Sequence, residues 1–460
     1  MTPIAADTAN AVNKPETFAD AARPPRTRAT RTATPGPFAL LLTALLVGSL
    51  ATRAQAAALL PQVTCGKSSP DARCKVGTSS AKGPSIGTGL PFALGGFVSI
   101  GSGYIDEASN SLLLPVEFGG QEDNQGVVMR VDLATGNRTV VSGYDGEEWH
   151  GHGVKYVSDR GYASEAYDLG RVEAVRPGPN GSILALVDKG LSQRTELIRI
   201  DPRSGDRTLV WASRVFADAA PSGPTAIRDI EQSRFNHGSA ALCRGGDKTA
   251  LKPSETFETD GVNAYLFMAN NPLGTGSGLV RVPLTGGNCT WVSHYYQDGT
   301  SEVGSGATIN TASPVIFGSA LVGKEFLAVS GPNPNGNALF AINTQTGERR
   351  TVSLKNVSAP ARSKGSGEEV GFMGRLAVGR STVATGRLST SASNFESTLV
   401  DLQTGERTYR EPRSGTLSVG RSSDFTVVAA VPGTDKFVVA FGDALHIWDA
   451  QTDDSFVLSR

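Results

Sequence analysis

The sequence has few of the residues and motifs from which cofactor and redox sites are built. It contains 4 cysteines and 5 histidines among 460 residues, and no two cysteines form a C-x-x-C pair. A cysteine-based zinc site and thioredoxin-like chemistry are therefore not expected. There is also no Gly-x-Ser-x-Gly nucleophile motif, phosphate-binding loop or dinucleotide fingerprint. The sequence alone thus does not define an activity.

The chain also lacks a strong charge excess and a helical pattern. The formal net charge is −1, and it is about −4 without residues 1–56, because that segment holds more basic than acidic residues. A nucleic-acid partner would leave a basic footprint, so we expect none. No window longer than about ten residues has the i, i+3, i+4 apolar spacing of an amphipathic helix. These features favour an all-β protein.

Residues 1–56 have the features of an export signal with a long basic leader. Four arginines precede an apolar run at 38–51, and Ala54-Gln55-Ala56 is the small-residue pattern that a signal peptidase recognises. The run of about fourteen residues is shorter than the roughly 20 that a membrane-spanning helix needs. We therefore expect a periplasmic or extracellular protein with no transmembrane span in the mature chain, and a retained membrane anchor is the alternative.

One short sequence repeat, which we call the phrase, recurs along the rest of the chain and predicts its architecture. Its clearest copy runs from Ile198 to Val210, where two alternating apolar runs flank a polar turn that contains Gly205. This pattern predicts a β-hairpin. The six copies are Met129 to Val141, Ile198 to Val210, Val280 to Val292, Phe340 to Val352, Leu399 to Tyr409 and Ile447 to Phe456.

The turn of the phrase explains why its aspartates recur. A glycine follows the aspartate by four residues and supplies the positive φ that closes the loop, while the aspartate side chain can accept bonds from amides of the same turn. We therefore assign Asp132, Asp201 and Asp401 a structural role and do not count them as site residues.

Two further strand candidates precede each hairpin, so each repeat predicts four strands. Six such units over residues 92–460 predict a six-bladed β-propeller of four-stranded antiparallel blades. Residues 57–91 are rich in Gly, Ser, Lys and Pro. We interpret them as a tether that covers or edges a blade without completing one.

The segment from Gly170 to Asp188, followed by Leu197 to Asp201, resembles a blade of the six-bladed propeller superfamily. That superfamily includes the gluconolactonase and regucalcin group, the NHL-repeat proteins and the TolB-like proteins. The resemblance implies a fold and no single activity, because these relatives include calcium-dependent lactonases, esterases and binding modules.

The loop at 143–170 holds the most unusual chemistry of the chain. His150 and His152 stand two residues apart, so on an extended segment both side chains can turn to one ion. Glu148 and Asp168 are the carboxylates that would complete a zinc or other transition-metal site. The alternative is a solvent-facing loop kept soluble by its carboxylates.

A second candidate segment lies at 234–239. It resembles the stretch in which gluconolactonase-type propellers hold a metal, which implies Asn236 as a neutral oxygen ligand suited to calcium and places His237 where that family has Asp. A buried Asn and His satisfied by backbone at a strand end is the alternative.

Aromatic residues near the same loops are candidates for ligand binding. Trp149 lies beside the two histidines, and Tyr295 and Tyr296 form a pair with acidic neighbours. Tyrosines at a channel mouth can stack on a sugar or a peptide. They can equally form a lid over the ends of the blades.

The four cysteines allow two disulfides in an exported chain. Cys65 and Cys74 would close a short loop in the N-terminal segment, and Cys243 with Cys289 is the remaining pair.

Two functions fit these features. The first is an exported module that binds a protein, peptide or glycan over its loop face. The second is a metal-dependent hydrolase of the lactonase or esterase kind, in which a divalent ion, zinc or calcium, at the channel mouth activates water.

Overall fold

The computed structural model describes residues 60–460 except 66–68, 76–82, 93–97, 119–124, 146, 154–168, 189–194, 213–252, 269–276, 287–288, 296–299, 308, 310–315, 317, 331–336, 357–359, 368–374, 388–395, 411–425 and 442. The described residues belong to one compact unit, Ala54–Arg460. Five residues singled out by the sequence lie outside them: Asp168, Asn236, His237, Cys243 and Tyr296.

The strands follow one another in six groups along the chain. The first group is β1 (Val98–Ile100), β2 (Tyr104–Asp106), β3 (Ser111–Phe118), β4 (Gln125–Asp132), β5 (Arg138–Tyr144) and β6 (Trp149–His150). The second is β7 (Arg171–Pro177), β8 (Ile183–Asp188), β9 (Thr195–Ile200) and β10 (Arg207–Ala212). The third is β11 (Pro253–Thr259), β12 (Asn263–Met268), β13 (Ser277–Pro283), β14 (Thr290–Tyr295) and β15 (Ser301–Val303).

The fourth group is β16 (Ser319–Val322), β17 (Glu325–Val329), β18 (Ala338–Asn343) and β19 (Arg349–Leu354). The fifth is β20 (Leu376–Val378), β21 (Thr382–Arg387), β22 (Glu396–Asp401) and β23 (Arg407–Arg410). The sixth is β24 (Thr426–Ala430), β25 (Lys436–Phe441), β26 (Ala444–Asp449) and β27 (Ser455–Ser459). Short 3-10 turns occur at Ala72–Cys74, Pro179–Gly181 and Pro360–Arg362.

Each group forms one antiparallel sheet, and the sheets form a closed ring. The first strands of successive sheets contact one another from β2 through β7, β11, β16, β20 and β24 and back to β2. This confirms the predicted six-bladed β-propeller. Blades two, four, five and six have four strands, whereas blade three gains β15 and blade one gains β6 and a divided first strand, β1 and β2.

The repeated phrase forms the third and fourth strands of each blade, with β1 and β2 counted as one strand. These are the two outermost strands, as predicted, in blades two, four, five and six, whereas β6 and β15 lie outside them in blades one and three. In blade two, the Asp201 carboxylate accepts bonds from the amides of Arg203 (2.7 Å) and Ser204 (3.1 Å). These bonds hold the pKa of Asp201 below its usual value. Gly205 donates its N–H to the Asp201 carbonyl at 2.9 Å and has a φ of 76°. The conserved geometry of the phrase is thus that of a hairpin turn.

The core lies between the blades because alternate residues of each strand face opposite neighbours. Leu113 of β3 packs with Val175 and Ile198 of blade two, while Leu114 packs with Val438 and other residues of blade six. In the described part of the chain, six larger apolar clusters occupy the six contacts between neighbouring blades. Each buried leucine of this kind contributes about 1.5–3 kcal/mol.

A polar contact repeats at the outer side of several of these blade contacts. In four blades, the second strand of the phrase begins with a buried arginine: Arg138, Arg207, Arg349 and Arg407. In blade five, Arg407 Nη1 donates to Ser353 Oγ of blade four (2.6 Å) and to the Lys364 carbonyl (2.7 Å). Its Nη2 donates to the Gly365 carbonyl at 3.2 Å. We call this set, an arginine, a serine of the preceding blade and a Gly-x-Gly loop, the inter-blade latch.

The glycines of the latch are required by close approach. Gly151 follows β6 with a φ of 77°, and a Cβ there would lie 2.0 Å from the Gly205 carbonyl oxygen of the next blade. The backbone N–H of Arg207 donates to the His152 carbonyl at 2.7 Å. The latch loops after β6, β15 and β19 therefore fasten each of these blades to the next.

Candidate functional site at the start of the inner strands

The inner strands of the propeller all begin on one face, which we call the upper face. The first strands of blades one and two pair in parallel through Ser102 and Ala174. With every blade wound in the same order, the starts of β7, β11 and β20 and the end of β3 lie at this face.

A network of charged side chains lies at the upper ends of these strands. Arg171 begins β7, and its Nε is 2.8 Å from Glu173 Oε1 and 3.4 Å from Glu117 Oε2 of blade one. The side chain of Arg171 is 38% exposed, whereas that of Glu117 is 12% exposed and that of Glu173 is 2% exposed. The network is therefore open to solvent mainly through Arg171.

Arg375 reaches this network from the opposite side of the ring. It directly precedes β20 of blade five, and its Nη1 donates to the Glu173 carbonyl of blade two at 2.8 Å. Its side chain is 11% exposed. Burial lowers the pKa of Arg375, and the carboxylates of Glu173 and Glu255 oppose that effect. Since blades two and five are opposite each other, this contact crosses the central channel.

A second ion pair lies deeper in the channel. Arg176 and Glu258 form two bonds, Nη2 to Oε1 at 2.7 Å and Nε to Oε2 at 3.0 Å. Ser319 of blade four donates to Glu258 at 2.9 Å, and Arg176 donates to Ser102 of blade one at 3.1 Å. Both charged side chains are 8% exposed. Four blades thus meet at this pair, which lies below the upper network.

The upper network carries more negative than positive charge. Glu117, Glu173 and Glu255 supply three carboxylates, and Arg171 and Arg375 supply two guanidinium groups. In a partly buried site, charges are screened less than at the open surface. The excess carboxylate therefore favours a cationic group as the ligand at this face.

A separate group of potential metal ligands lies at the turn between β5 and β6. Ligand atoms of Asp145, Glu148 and His150 all lie within 4.8 Å of one another. His150 Nε2 is 2.7 Å from Asp145 Oδ2 and 3.9 Å from Glu148 Oε1. Partial burial alone would raise the pKa of Asp145, but bonds from the Glu148 amide and from His150 hold it below its usual value. Two of the predicted metal residues, His150 and Glu148, are thus brought together.

The loop places His152 in a different role. The His152 amide donates to Asp206 Oδ1 at 2.8 Å, and its carbonyl accepts from Arg207. In the part of the chain that is described, His152 is not among the side chains whose ligand atoms gather around His150. Its backbone belongs to the latch between blades one and two.

The aromatic candidates pack against protein. The ring of Trp149 lies 4.8 Å from that of Tyr144. Tyr295 is 2% exposed, its hydroxyl donates to the Ile309 carbonyl at 3.1 Å, and the Arg349 guanidinium lies 4.6 Å from its ring centre. Of the two candidate aromatic residues that the structure describes, Trp149 is partly exposed to solvent and Tyr295 is buried.

The N-terminal disulfide is present as predicted. Cys65 and Cys74 are bonded, with their Cα atoms 5.2 Å apart. Cys289 is not a free thiol either. Because Cys243 lies outside the described residues, its pairing with Cys289 stays a prediction, and so do the ligand roles of Asp168 and Asn236 and the binding roles of His237 and Tyr296.

Sequence reasoning missed the channel network. Its signal was present in Val172-Glu173-Ala174-Val175-Arg176, where two charges interrupt an apolar inner strand. A charged residue is seldom buried unless it is paired, so such a strand implies partners on other blades. The partners Glu258 and Arg375 are remote in sequence, and no local pattern connects them.

Comparisons with known proteins find remote similarity to solved structures. No protein family and no curated protein matches the sequence. Similar solved structures include TolB from Acinetobacter baumannii (9% identity, TM-score 0.37), a putative TolB from Agrobacterium tumefaciens (11%, 0.37) and a puromycin-hydrolyzing peptidase from Mycobacterium tuberculosis (12%, 0.33). The matches cover 68%, 70% and 86% of this chain and 54%, 84% and 50% of those chains.

This chain therefore spans about half the length of the first and third of these proteins. At such identities and TM-scores, no activity follows from these matches. In the described part of the chain, no helix is long and apolar enough to cross a membrane.

Proposed function

We propose that this chain is an exported propeller that acts as a binding module for a protein or peptide, with the upper face as the binding surface. The observation that supports this proposal best is the charged network at the upper face, which reaches solvent mainly through Arg171. Its members are Glu117, Glu173, Glu255, Arg171 and Arg375. The ligand group that complements its negative excess is a cation, such as a lysine, an arginine or a terminal amine of a peptide.

The geometry favours a peptide over a glycan as the ligand. Sugar binding commonly uses aromatic faces that are open to the ligand. Tyr295 is enclosed, and Trp149 packs on Tyr144. The accessible chemistry of the described upper face is instead that of charged groups.

Two features support export. The Cys65–Cys74 disulfide is of a kind that persists in oxidising compartments such as the periplasm or the extracellular space. The apolar run at 38–51, behind its arginine-rich leader, fits a cleaved signal.

A peptide array tests the binding proposal. Purified mature protein, labelled and applied to an array of random peptides at low salt, should bind peptides enriched in Lys and Arg, and binding should weaken as salt is raised. Replacement of Glu117 and Glu255 by Gln should abolish the enrichment. Glu325→Gln is the matched control, because Glu325 pairs with Arg350 on the outer side of blade four. Binding that shows no preference for basic peptides would overturn the proposal.

A metal-dependent hydrolase is the second candidate function, supported by the group of Asp145, Glu148 and His150. One imidazole and two carboxylates suit zinc or a related transition metal, while calcium prefers oxygen ligands alone. A bound ion of this kind would polarise a carbonyl and activate water.

Elemental analysis separates the two candidates. Protein purified without chelator and dialysed against trace zinc should carry about one ion per chain if the second candidate is right, and His150→Ala should lose it. His152→Ala serves as the control, since the backbone of His152 joins the latch. Absence of a stoichiometric ion in the parent protein leaves the binding module as the function.

A further inference from the structure

The contact between blades six and one differs from the other latched contacts in its connectivity. Elsewhere the Gly-x-Gly loop follows the strand that holds the latch serine: Ser142 precedes Gly151, Ser293 precedes Gly304 and Ser353 precedes Gly365. Ser459 of blade six occupies the corresponding position, because it bonds to Arg138 and to the Gly136 carbonyl of blade one. Here the Gly-x-Gly loop does not follow the serine but comes from Gly87-Thr88-Gly89, which precede blade one in the sequence.

The N-terminal segment supplies the loop that is needed. Arg138 of blade one donates to the Leu90 carbonyl (2.7 Å), the Ile86 carbonyl (3.1 Å) and Ser459 Oγ (2.6 Å). Ser459 Oγ donates in turn to the Gly136 carbonyl at 2.6 Å. The corresponding bond occurs in two other latches, where the hydroxyls of Ser142 and Ser353 donate to the carbonyls of Gly205 and Gly405.

The backbone of this segment also repeats the latch geometry. The Arg138 amide donates to the Thr88 carbonyl at 2.8 Å, as the Arg207 amide does to His152. Ile86 and Arg460 exchange two backbone bonds, at 3.3 and 3.0 Å, which extends the outer edge of blade six. Gly87 has a φ of 77°, and a Cβ on it would lie 2.1 Å from the Gly136 carbonyl oxygen.

The ends of the segment are held by apolar and covalent contacts. Phe92 is 2% exposed in the cluster between blades one and six, and the Arg138 guanidinium lies 5.3 Å from its ring centre. The disulfide loop at 65–74 touches both blades: the Cys65 amide lies 3.4 Å from Asp454 Oδ2 of blade six, and Arg73 donates to the Ala134 carbonyl of blade one at 2.7 Å.

We propose that the groove between blades six and one is a binding site for a Gly-x-Gly peptide, occupied by the chain's own residues 84–92, and that this segment closes the propeller as a noncovalent latch. Three features of the bound segment fit the groove. Its backbone carbonyl groups accept hydrogen bonds from Arg138, its two glycines adopt positive φ, and its one aromatic side chain is buried between the blades. The Cys65–Cys74 loop anchors the segment at its other end.

A cleavable chain tests the proposal. A specific protease site placed within residues 93–97 of the full chain allows the segment to be cut from β1 after folding. The released N-terminal piece should remain bound through gel filtration. Gly87→Ala should speed its dissociation at least about tenfold, because the added Cβ clashes with the Gly136 carbonyl and strains the backbone.

Gly261→Ala is the matched control, since Gly261 also has a positive φ, 85°, but has nothing within 4 Å of an added Cβ. A synthetic peptide of residues 83–92, added in excess, should displace the cut segment or rebind to the chain from which it was removed. Amide exchange at Arg138 and Arg460 should rise in the cut Gly87→Ala protein. Prompt loss of the segment from the cut parent protein, or equal retention by parent and Gly87→Ala, overturns the proposal.

Discussion

The inner and outer parts of the propeller use buried arginines in opposite ways. At the channel, Arg176 and Arg375 meet carboxylates, Glu258 and Glu173, and each contact is built once. At the outer side, the latch arginines meet serine hydroxyls and backbone carbonyls, and the arrangement recurs at four blade contacts. The outer arginines are thus part of the repeat, while the inner ones are specific to their blades.

This difference separates structure from candidate function. A contact that recurs in every unit stabilises the stacking of repeats, as in other repeat architectures. A contact found once cannot be required by blade packing in general. The unrepeated charges at the channel are therefore the better candidates for a function specific to this protein.

The largest effect is expected from breaking the deep channel pair. Arg176→Met leaves the Glu258 carboxylate buried with Ser319 as its remaining partner, so the free energy of unfolding should fall by about 3–5 kcal/mol. Adding Glu258→Met should restore much of that loss, since two apolar side chains replace a buried pair. Urea unfolding followed by tryptophan fluorescence measures both. A loss below about 1 kcal/mol in the single variant would show that the pair is hydrated.

The repeated part of the fold could be predicted from sequence because its information is local. The Asp, Gly and alternating apolar residues of one phrase determine one hairpin, and six phrases give six blades. The latch arginine also belongs to the phrase, six residues after Asp132, Asp201 and Asp401. Its burial was not predicted, because an arginine in an exposed turn and one that enters the next blade look alike in sequence.

The channel network could not be predicted, because its members come from different blades. Glu173 and Arg375 are separated by 202 residues, and Arg176 and Glu258 by 82. These residues come into contact only when the blades close into a ring, and the sequence of a single repeat carries no information about that closure. The closing role of residues 84–92 was hidden for the same reason: these residues look like a linker in sequence, although Gly87-Thr88-Gly89 repeats the Gly-x-Gly pattern of the latch loops.

Two adjacent arginines of blade four distinguish the latch from an ordinary surface ion pair. Arg349 is 2% exposed and donates to Ser293 Oγ at 2.6 Å and to the Ala307 carbonyl at 3.0 Å. Arg350 is 44% exposed and pairs with Glu325. Arg349→Met should lower the free energy of unfolding by about 3 kcal/mol, whereas Arg350→Met should cost at most about 1 kcal/mol. Equal losses would contradict the assignment of the latch.

A buried histidine of blade six should make the free energy of unfolding depend on pH. His446 is 1% exposed, and burial, with the nearby charge of Arg460, lowers its pKa to about 3. The unfolded chain then binds one more proton than the folded one between about pH 6.5 and 3, so stability falls as pH is lowered through that window. His446→Gln should flatten this slope in urea titrations and leave the slope above pH 7 unchanged. A slope that persists in the variant assigns the effect to other groups.

The smallest effect on stability is expected at the turn of the repeated phrase, because one of the six copies has asparagine in place of the aspartate. Asn343 stands in blade four where Asp201 stands in blade two, and it accepts the same two amide bonds. Asp201→Asn should therefore leave the free energy of unfolding at pH 7 nearly unchanged. The amide bonds hold the pKa of Asp201 below its unfolded value, so its contribution is present above about pH 4 and is lost as pH falls through the folded pKa. The Asn variant should lack that acid loss, so the two proteins should be equally stable at pH 7 and the Asn variant should be the more stable one below about pH 3. If the Asn variant is instead less stable than the parent at pH 7 and equally stable only at acid pH, the turn requires the negative charge and not only the accepted hydrogen bonds.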